Sequence, residues 1–206
     1  MPNHIYNRMT VVEGEYDLYD IKSFNDVIPM PQELKDTTHG GVSMQLEQCL
    51  GITKSFFGDR PTINEVYSEN DKEEVDKLIS NYLKYGYTTW YGWSTENWGT
   101  KWDMYERDCF NKVLTFQTAW RTPVEWYKEL AKTLPEGVVI KVEYASEDVG
   151  SHTGEFELSR SGATQTEYSN GSFEANELAV ELQGLEESFK LIDGEWVWVD
   201  DIEDEE

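Results

Sequence analysis

Basic residues are scarce in this chain: 17 Lys and Arg face 41 Asp and Glu over 206 residues, a formal net charge of −24. Phosphate polymers are bound by cations that displace their counterions, so the shortage argues against direct contact with nucleic acid. Anionic lipid is disfavoured for the same reason. Cysteine is scarcer still. Cys49 and Cys109 stand far apart with no CxxC spacing, which fits buried thiols in a reducing compartment rather than a disulfide framework or a zinc site. Apolar runs of roughly 18 residues, the length a membrane span needs, do not occur. Met1-Pro2-Asn3-His4 lacks a basic region leading into an apolar one, so the expectation is a cytoplasmic protein that is neither exported nor membrane-bound.

Chemistry-bearing patterns are also few. His4, His39 and His152 are isolated and the acids are spread along helix faces and the tail, so nothing has metal-ligand spacing and no cofactor is expected. There is no nucleophile elbow, Walker loop or HExxH. Enzyme activity is therefore the minor expectation.

What is present is core-forming material. Hydrophobic residues make up 38% and aromatic ones 14%, more than an acidic disordered chain carries, and the length suffices to bury a core without covalent staples. Four of the eight tryptophans lie in one stretch, Trp90 to Asp103. Charge is unevenly placed: residues 1–135 carry 21 acidic and 14 basic side chains, whereas residues 136–206 carry 20 and 3.

Periodicity gives an order of elements. Residues 4–12 are β-prone, with Ile5, Asn7, Met9 and Val11 as the inward set. Residues 15–35 read as irregular connection, and residues 37–69 as an insertion of undefined structure. From Asn70, an N-cap with Glu73 as capping-box partner, the recurrence of Val75, Leu78, Ile79, Tyr82 and Leu83 predicts an amphipathic helix. Thr88 to Asn97 continues as a second helical piece, with Gly99 at a left-handed cap position. Asp103–Asp108 and Lys112–Ala119 predict a hairpin. Thr122-Pro123-Val124-Glu125 predicts a helix with Thr122 as N-cap, Pro123 at the first position and Glu125 closing the box, ending at Leu134-Pro135.

Val138, Ile140, Val142 and Tyr144 alternate in a further strand, and Gly154 to Leu158 returns as another. Residues 159–171 read as a polar linker or long turn, Ser172 to Leu185 as a helix burying Phe173, Leu178, Leu182 and Leu185, and Leu191 to Val199 as a last strand. Six of the last seven residues, Asp200 to Glu206, are acidic, which predicts a frayed end. Strand, helix, hairpin, helix, strand is the split βαβ order of a ferredoxin-like α+β fold, an antiparallel sheet with helices packed on one face. The expected division is a ferredoxin-like domain over 1–158, holding the 37–69 insertion, and an acidic C-terminal extension over 159–206 built of a helix plus a strand.

Four short motifs in order carry a resemblance. They are Met1 to Val11, Ser23-Phe24-Asn25-Asp26-Val27-Ile28-Pro29-Met30-Pro31, Asn97-Trp98-Gly99-Thr100-Lys101-Trp102-Asp103, and Phe116-Gln117-Thr118-Ala119-Trp120-Arg121-Thr122-Pro123. They resemble the YubB-like proteins of phages and plasmids, with Glu143-Tyr144 and Gly154-Glu155 similar to the family's next strand pair. The resemblance implies a ferredoxin-like fold over about residues 1–158, a mobile-element origin and a host-cell cytoplasm, and it assigns no reaction. This chain departs from the family in lacking a patterned helix soon after its first strand.

Two functional expectations follow. The acidic half predicts a non-enzymatic accessory protein that binds and inhibits a basic or nucleic-acid-binding host protein, in the manner of an anti-defence protein or DNA mimic, with the oligomeric state open. Its candidate contact residues are Glu143, Glu147, Asp148, Glu155, Glu157, Glu186, Glu187, Asp200 and Asp201. The alternative is a small-ligand or nucleotide-binding module using Trp98, Lys101 and Trp102, since aromatic faces beside a lysine suit sugar rings or bases. Against it stands the reading that the tryptophans pack a helix layer onto the sheet. An enzyme of unknown reaction is the third possibility, and it predicts a pocket where carboxylates or a histidine converge.

Overall fold

The computed structural model describes residues 3–54, 59–192 and 195–199. The chain divides into two compact units: one runs up to Ile28 and resumes at Trp98, and the other is Pro29–Asn97.

The first unit is organised on a six-stranded antiparallel sheet. Its strands are β1 (His4–Glu13), β2 (Tyr105–Phe110), β3 (Val113–Ala119), β4 (Val139–Ser146), β5 (Gly154–Ser159) and β6 (Gly162–Glu167), in the spatial order β2-β3-β1-β4-β5-β6. The first four, read across as β2-β3-β1-β4, give the ferredoxin-like arrangement. β1 lies at its centre, pairing Asn7 with Phe116 on one side and Tyr144 on the other. Alternation along the strands then sorts the faces. Ile5, Asn7, Met9, Leu114, Phe116, Ile140, Val142, Tyr144, Phe156 and Leu158 are all buried, whereas Arg8, Glu143, Glu155 and Glu157 point to the other face.

Helix α6 (Val124–Thr133) covers the apolar face with Trp126, Tyr127, Leu130 and Ala131. Its start differs from the expectation: Pro123 is the N-cap, no side chain caps the helix, and Glu125 pairs with Lys128 at 2.8 Å. Thr122 instead contacts His152 Nε2 at 3.0 Å. An aromatic plug packs beside α6. Phe24 is wholly buried with its ring centroid 4.9 Å from Trp126, 5.7 Å from Trp98 and 5.8 Å from Phe116. Trp126 Nε1 donates to Phe24 O, and Trp98 Nε1 to Ile28 O at 2.9 Å.

The expected break at residue 159 falls inside a hairpin. β5 and β6 pair without a slip from Gly154↔Glu167 to Ser159↔Gly162, so the stretch expected as a polar linker extends the sheet. Its Thr-rich, weakly apolar sequence hides an edge strand that has only one neighbour to satisfy. Helix α7 (Phe173–Gln183) lies on the face opposite α6, where Glu181 meets Arg8 and Gln183 Nε2 donates to Ser146 O. The final expected strand is a hairpin of β7 (Phe189–Ile192) and β8 (Glu195–Trp198).

The second unit is helical: α1 (Gln32–Lys35), α2 (Val42–Leu50), α3 (Ile63–Glu69), α4 (Lys72–Tyr85) and α5 (Trp90–Asn97). The helix patterned from Asn70 is present, but Asp71 is its cap, accepting from the amides of Glu73 and Glu74, and Asn70 closes α3. Its apolar face serves a core within the helical unit. Val75 and Leu78 pack with Leu46 of α2 and Val66 of α3 in a core of their own, and Leu83, expected inside, is 80% exposed. No helix among the described residues is long and apolar enough to cross a membrane.

Candidate functional site

The aromatic stretch is structural at its centre. Trp98 is only 3% exposed, locked between Phe24 and the Ile28 carbonyl, so it cannot share a ligand face with Lys101 and Trp102. Those two form a local pair, with Lys101 Nζ 4.7 Å above the Trp102 ring and Trp102 39% exposed. The neighbouring Asp103 ties two motifs together. Its carboxylate accepts from Ser23 Oγ at 2.5 Å, Phe24 N at 2.7 Å and Asn25 Nδ2 at 3.1 Å. Thr100 Oγ1 donates to Ala119 O at 2.8 Å. Three of the four motifs that carry the resemblance therefore meet in one knot that fixes the start of the crossover.

The acidic half is different. A cavity of about 440 Å3 opens between β4, α7 and the β7-β8 hairpin, lined by Glu143, Glu174, Glu177, Glu181 and Glu186 with Tyr168 and Trp196. Helical spacing assembles it: Glu174, Glu177 and Glu181 fall at i, i+3 and i+7, one face of α7, while Ala175, Leu178 and Ala179 turn to the sheet and are buried. The spacing was open to view in the sequence, but α7 had no known neighbour to give that face a meaning. Arg8 bridges Glu143 and Glu181 at 2.7 and 2.6 Å. Burial works against the Arg8 charge, and the bonds from the two carboxylates outweigh it, so its pKa is raised. Burial likewise pushes the Glu143 carboxyl up, yet Arg8 and then Lys141 reverse this and leave it below the usual carboxylate value. Glu174, Glu177 and Glu186 have no cation partner among the described residues.

The sequence-predicted acids separate into three groups. Glu143 and Glu186 line this cleft, though Glu143 is an internal ion-pair partner rather than a free carboxylate. Glu155 and Glu157 stand on β5, with Glu155 held by Lys141 at 2.7 Å and Glu157 exposed. Glu147 accepts from the His4 amide at 3.1 Å and lies 3.9 Å from its ring, and Asp148 accepts from Asn3 Nδ2 at 3.5 Å. Both of these fasten the start of β1 to the end of β4. Glu187 is exposed beside Glu186, and Asp200 and Asp201 lie outside the described residues.

The histidines are not isolated in space. Each lies near one carboxylate: His4 near Glu147, His39 near Glu47 at 4.0 Å and His152 near Glu167 at 3.8 Å. In the helical unit His39 stacks on Tyr91 with centroids 4.2 Å apart, and the buried Glu47 accepts from Thr88 Oγ1 at 2.5 Å. Among the described residues no group of three His, Cys, Asp or Glu is placed to hold a metal ion. Cys49 and Cys109 are free thiols, each half-buried rather than fully enclosed.

Residues 97–194, a little under half of the chain, match the model of the ferredoxin-like domain in Api92-like protein. No curated protein and no solved structure matches the chain. The matched segment spans β2 to β7 and crosses Ser159, and β1 from outside it supplies the strand between β3 and β4. Strand order and family model agree that the chain carries a ferredoxin-like α+β domain.

Proposed function

We propose that this protein is a non-enzymatic accessory protein that captures a basic protein on the carboxylates displayed by α7 and the adjoining sheet. The observation that carries the reading is the cleft: three of its five glutamates lack a cation of their own, and like charges held this close favour an incoming cation. Tyr168 and Trp196 add aromatic walls suited to the stem of a lysine or the plane of an arginine.

The finer reading is an inhibitor of a host nucleic-acid-binding enzyme encoded by a phage or other mobile element. What supports it is the resemblance of the Asn97–Asp103 and Phe116–Pro123 motifs to the YubB-like proteins, together with the acid excess. A DNA mimic places carboxylates where its target expects phosphates. Capture from host lysate tests both levels. The wild type should retain a basic protein that is released as salt shortens the screening length from about 10 Å to about 3 Å. Added duplex DNA should displace it, and the triple variant Glu174→Gln, Glu177→Gln, Glu186→Gln should fail to hold it. Retention indifferent to salt and to the triple variant, or no basic protein retained, overturns the reading. Retention without displacement by DNA removes the mimicry alone.

A further inference from the structure

The two edges of the six-stranded sheet are built differently. At β2 the register slips between Tyr105 and Asp108, and Glu106 takes a left-handed φ of 47°. Such a bulge turns an edge away from strand addition. The β6 edge has no comparable defence: all six of its residues pair in step with β5, and Gly162–Glu167 contains no proline, lysine or arginine.

Antiparallel alternation decides which groups face outward. Tyr168 N donates to Thr153 O at 2.9 Å, which makes 153/168, 155/166 and 157/164 the hydrogen-bonded pairs. Ala163, Gln165 and Glu167 therefore direct their amides and carbonyls away from the sheet. Those groups take no hydrogen bond among the described residues.

The face beside this edge is shaped and charged. A second cavity, of about 310 Å3, opens over Thr164 and Thr166 and is bounded by Glu155, Glu157, Phe156, Lys141 and Val12. Lys141 is engaged by Glu143 and Glu155 at 3.2 and 2.7 Å, while Glu157 has no cation among the described residues.

We infer that β6 accepts an extended basic segment of the partner protein as a seventh strand, with Lys or Arg at alternate positions reaching over the two threonines toward Glu157. This rests on the basic-partner reading above and names how that partner docks. Strands lie about 4.8 Å apart, so the added strand runs about 10 Å from β5, a gap that a lysine and a glutamate close between them when only short threonines intervene. A second copy of the chain is a poor occupant. Pairing β6 with β6 would bring Glu155 and Glu157 on one face, and Glu167 on the other, toward a second chain of the same net charge of −24, and like charges repel.

The probe is a blocked decapeptide alternating Lys and Thr, set against the same peptide N-methylated at every residue, which keeps the charge and removes the donors. The unmethylated peptide should bind at least about tenfold more tightly and slow amide exchange at Ala163, Gln165 and Glu167. Gln165→Pro, which removes one outward amide at no ladder position, should cost a similar factor. Gln165→Ala loses the same side-chain bond to Tyr144 Oη but keeps the amide and should bind as the wild type does. Equal binding of the two peptides with the three amides unprotected overturns the edge assignment and leaves the basic-partner reading standing. Binding of neither peptide, while lysate capture stays salt-sensitive, does the same. Protection of the three amides without peptide, together with a doubled sedimenting mass, hands the edge to a second copy and overturns it as well.

Discussion

At the scale of single residues, Arg8 decides the character of the α7 face. It sits on a central strand with its guanidinium shared between Glu143 on the neighbouring strand and Glu181 on the helix, so one cation joins sheet to helix. Glu143 is held below its ordinary value of 4.5 against the pull of its own burial. A carboxyl lowered on folding stabilises fully above the unfolded value, and the stabilisation is lost as pH falls through the folded one. Arg8→Ala should cost about 2 kcal/mol at neutral pH, the range for a partly buried carboxylate that loses its main charged hydrogen-bond donor. Its deficit should narrow below pH 4.5, and the Glu143 carboxyl should titrate above the wild-type position, measured by denaturant unfolding and carboxyl NMR across that window. An unmoved Glu143 titration would mean that Lys141 alone sets it.

At the scale of elements, what the sequence revealed depended on whether an element's signal was local. β1, β3 and β4 announce themselves by alternation, and their inward residues Ile5, Met9, Leu114, Phe116, Ile140 and Val142 are buried as that pattern requires. The helix ending at Tyr85 is legible, but its neighbours are not, because the Val75 and Leu78 stripe fits any apolar surface and Leu46 and Val66, which meet it, lie in a weakly patterned stretch. β6 was missed since an edge strand of Thr, Gln and Gly carries no apolar alternation. The α7 glutamates were missed because their meaning comes from Arg8 and Trp196, distant in sequence. Gly99 is a case where local chemistry was enough. It adopts φ +85°, and a Cβ there would lie 3.0 Å from Val124 N at the start of α6. Gly99→Ala should therefore destabilise by about 1–3 kcal/mol through left-handed strain and this close approach together, seen as a lowered midpoint in thermal unfolding.

At the scale of the whole molecule, the helical unit is an insertion into a single crossover. The sheet unit leaves at Ile28 and resumes at Trp98, and Trp98 Nε1 donates to the Ile28 carbonyl at 2.9 Å. The point of departure and the point of return are thus pinned side by side, and each unit has a core of its own. Replacing residues 29–97 by a short Gly-Ser linker should leave a folded sheet unit, since a closure this short costs little chain entropy. Amide exchange at Ile5, Asn7 and Met9 would show it, and loss of their protection would mean that the sheet depends on the insertion.

The same connection sets the order of events as the chain is made. β1 is central, yet β3 and β4, its only neighbours, begin at Val113 and Val139, about a hundred residues or more further along. At about 5–20 residues per second the first strand waits roughly 5–20 s for its nearer partner. Throughout that interval Ile5 and Met9 have no sheet to enter, while the helices of the insertion already hold all they need to close around Leu46, Val66, Val75 and Leu78. One of the two innermost strands of the sheet is thus made before both of its neighbours and is housed only when they arrive.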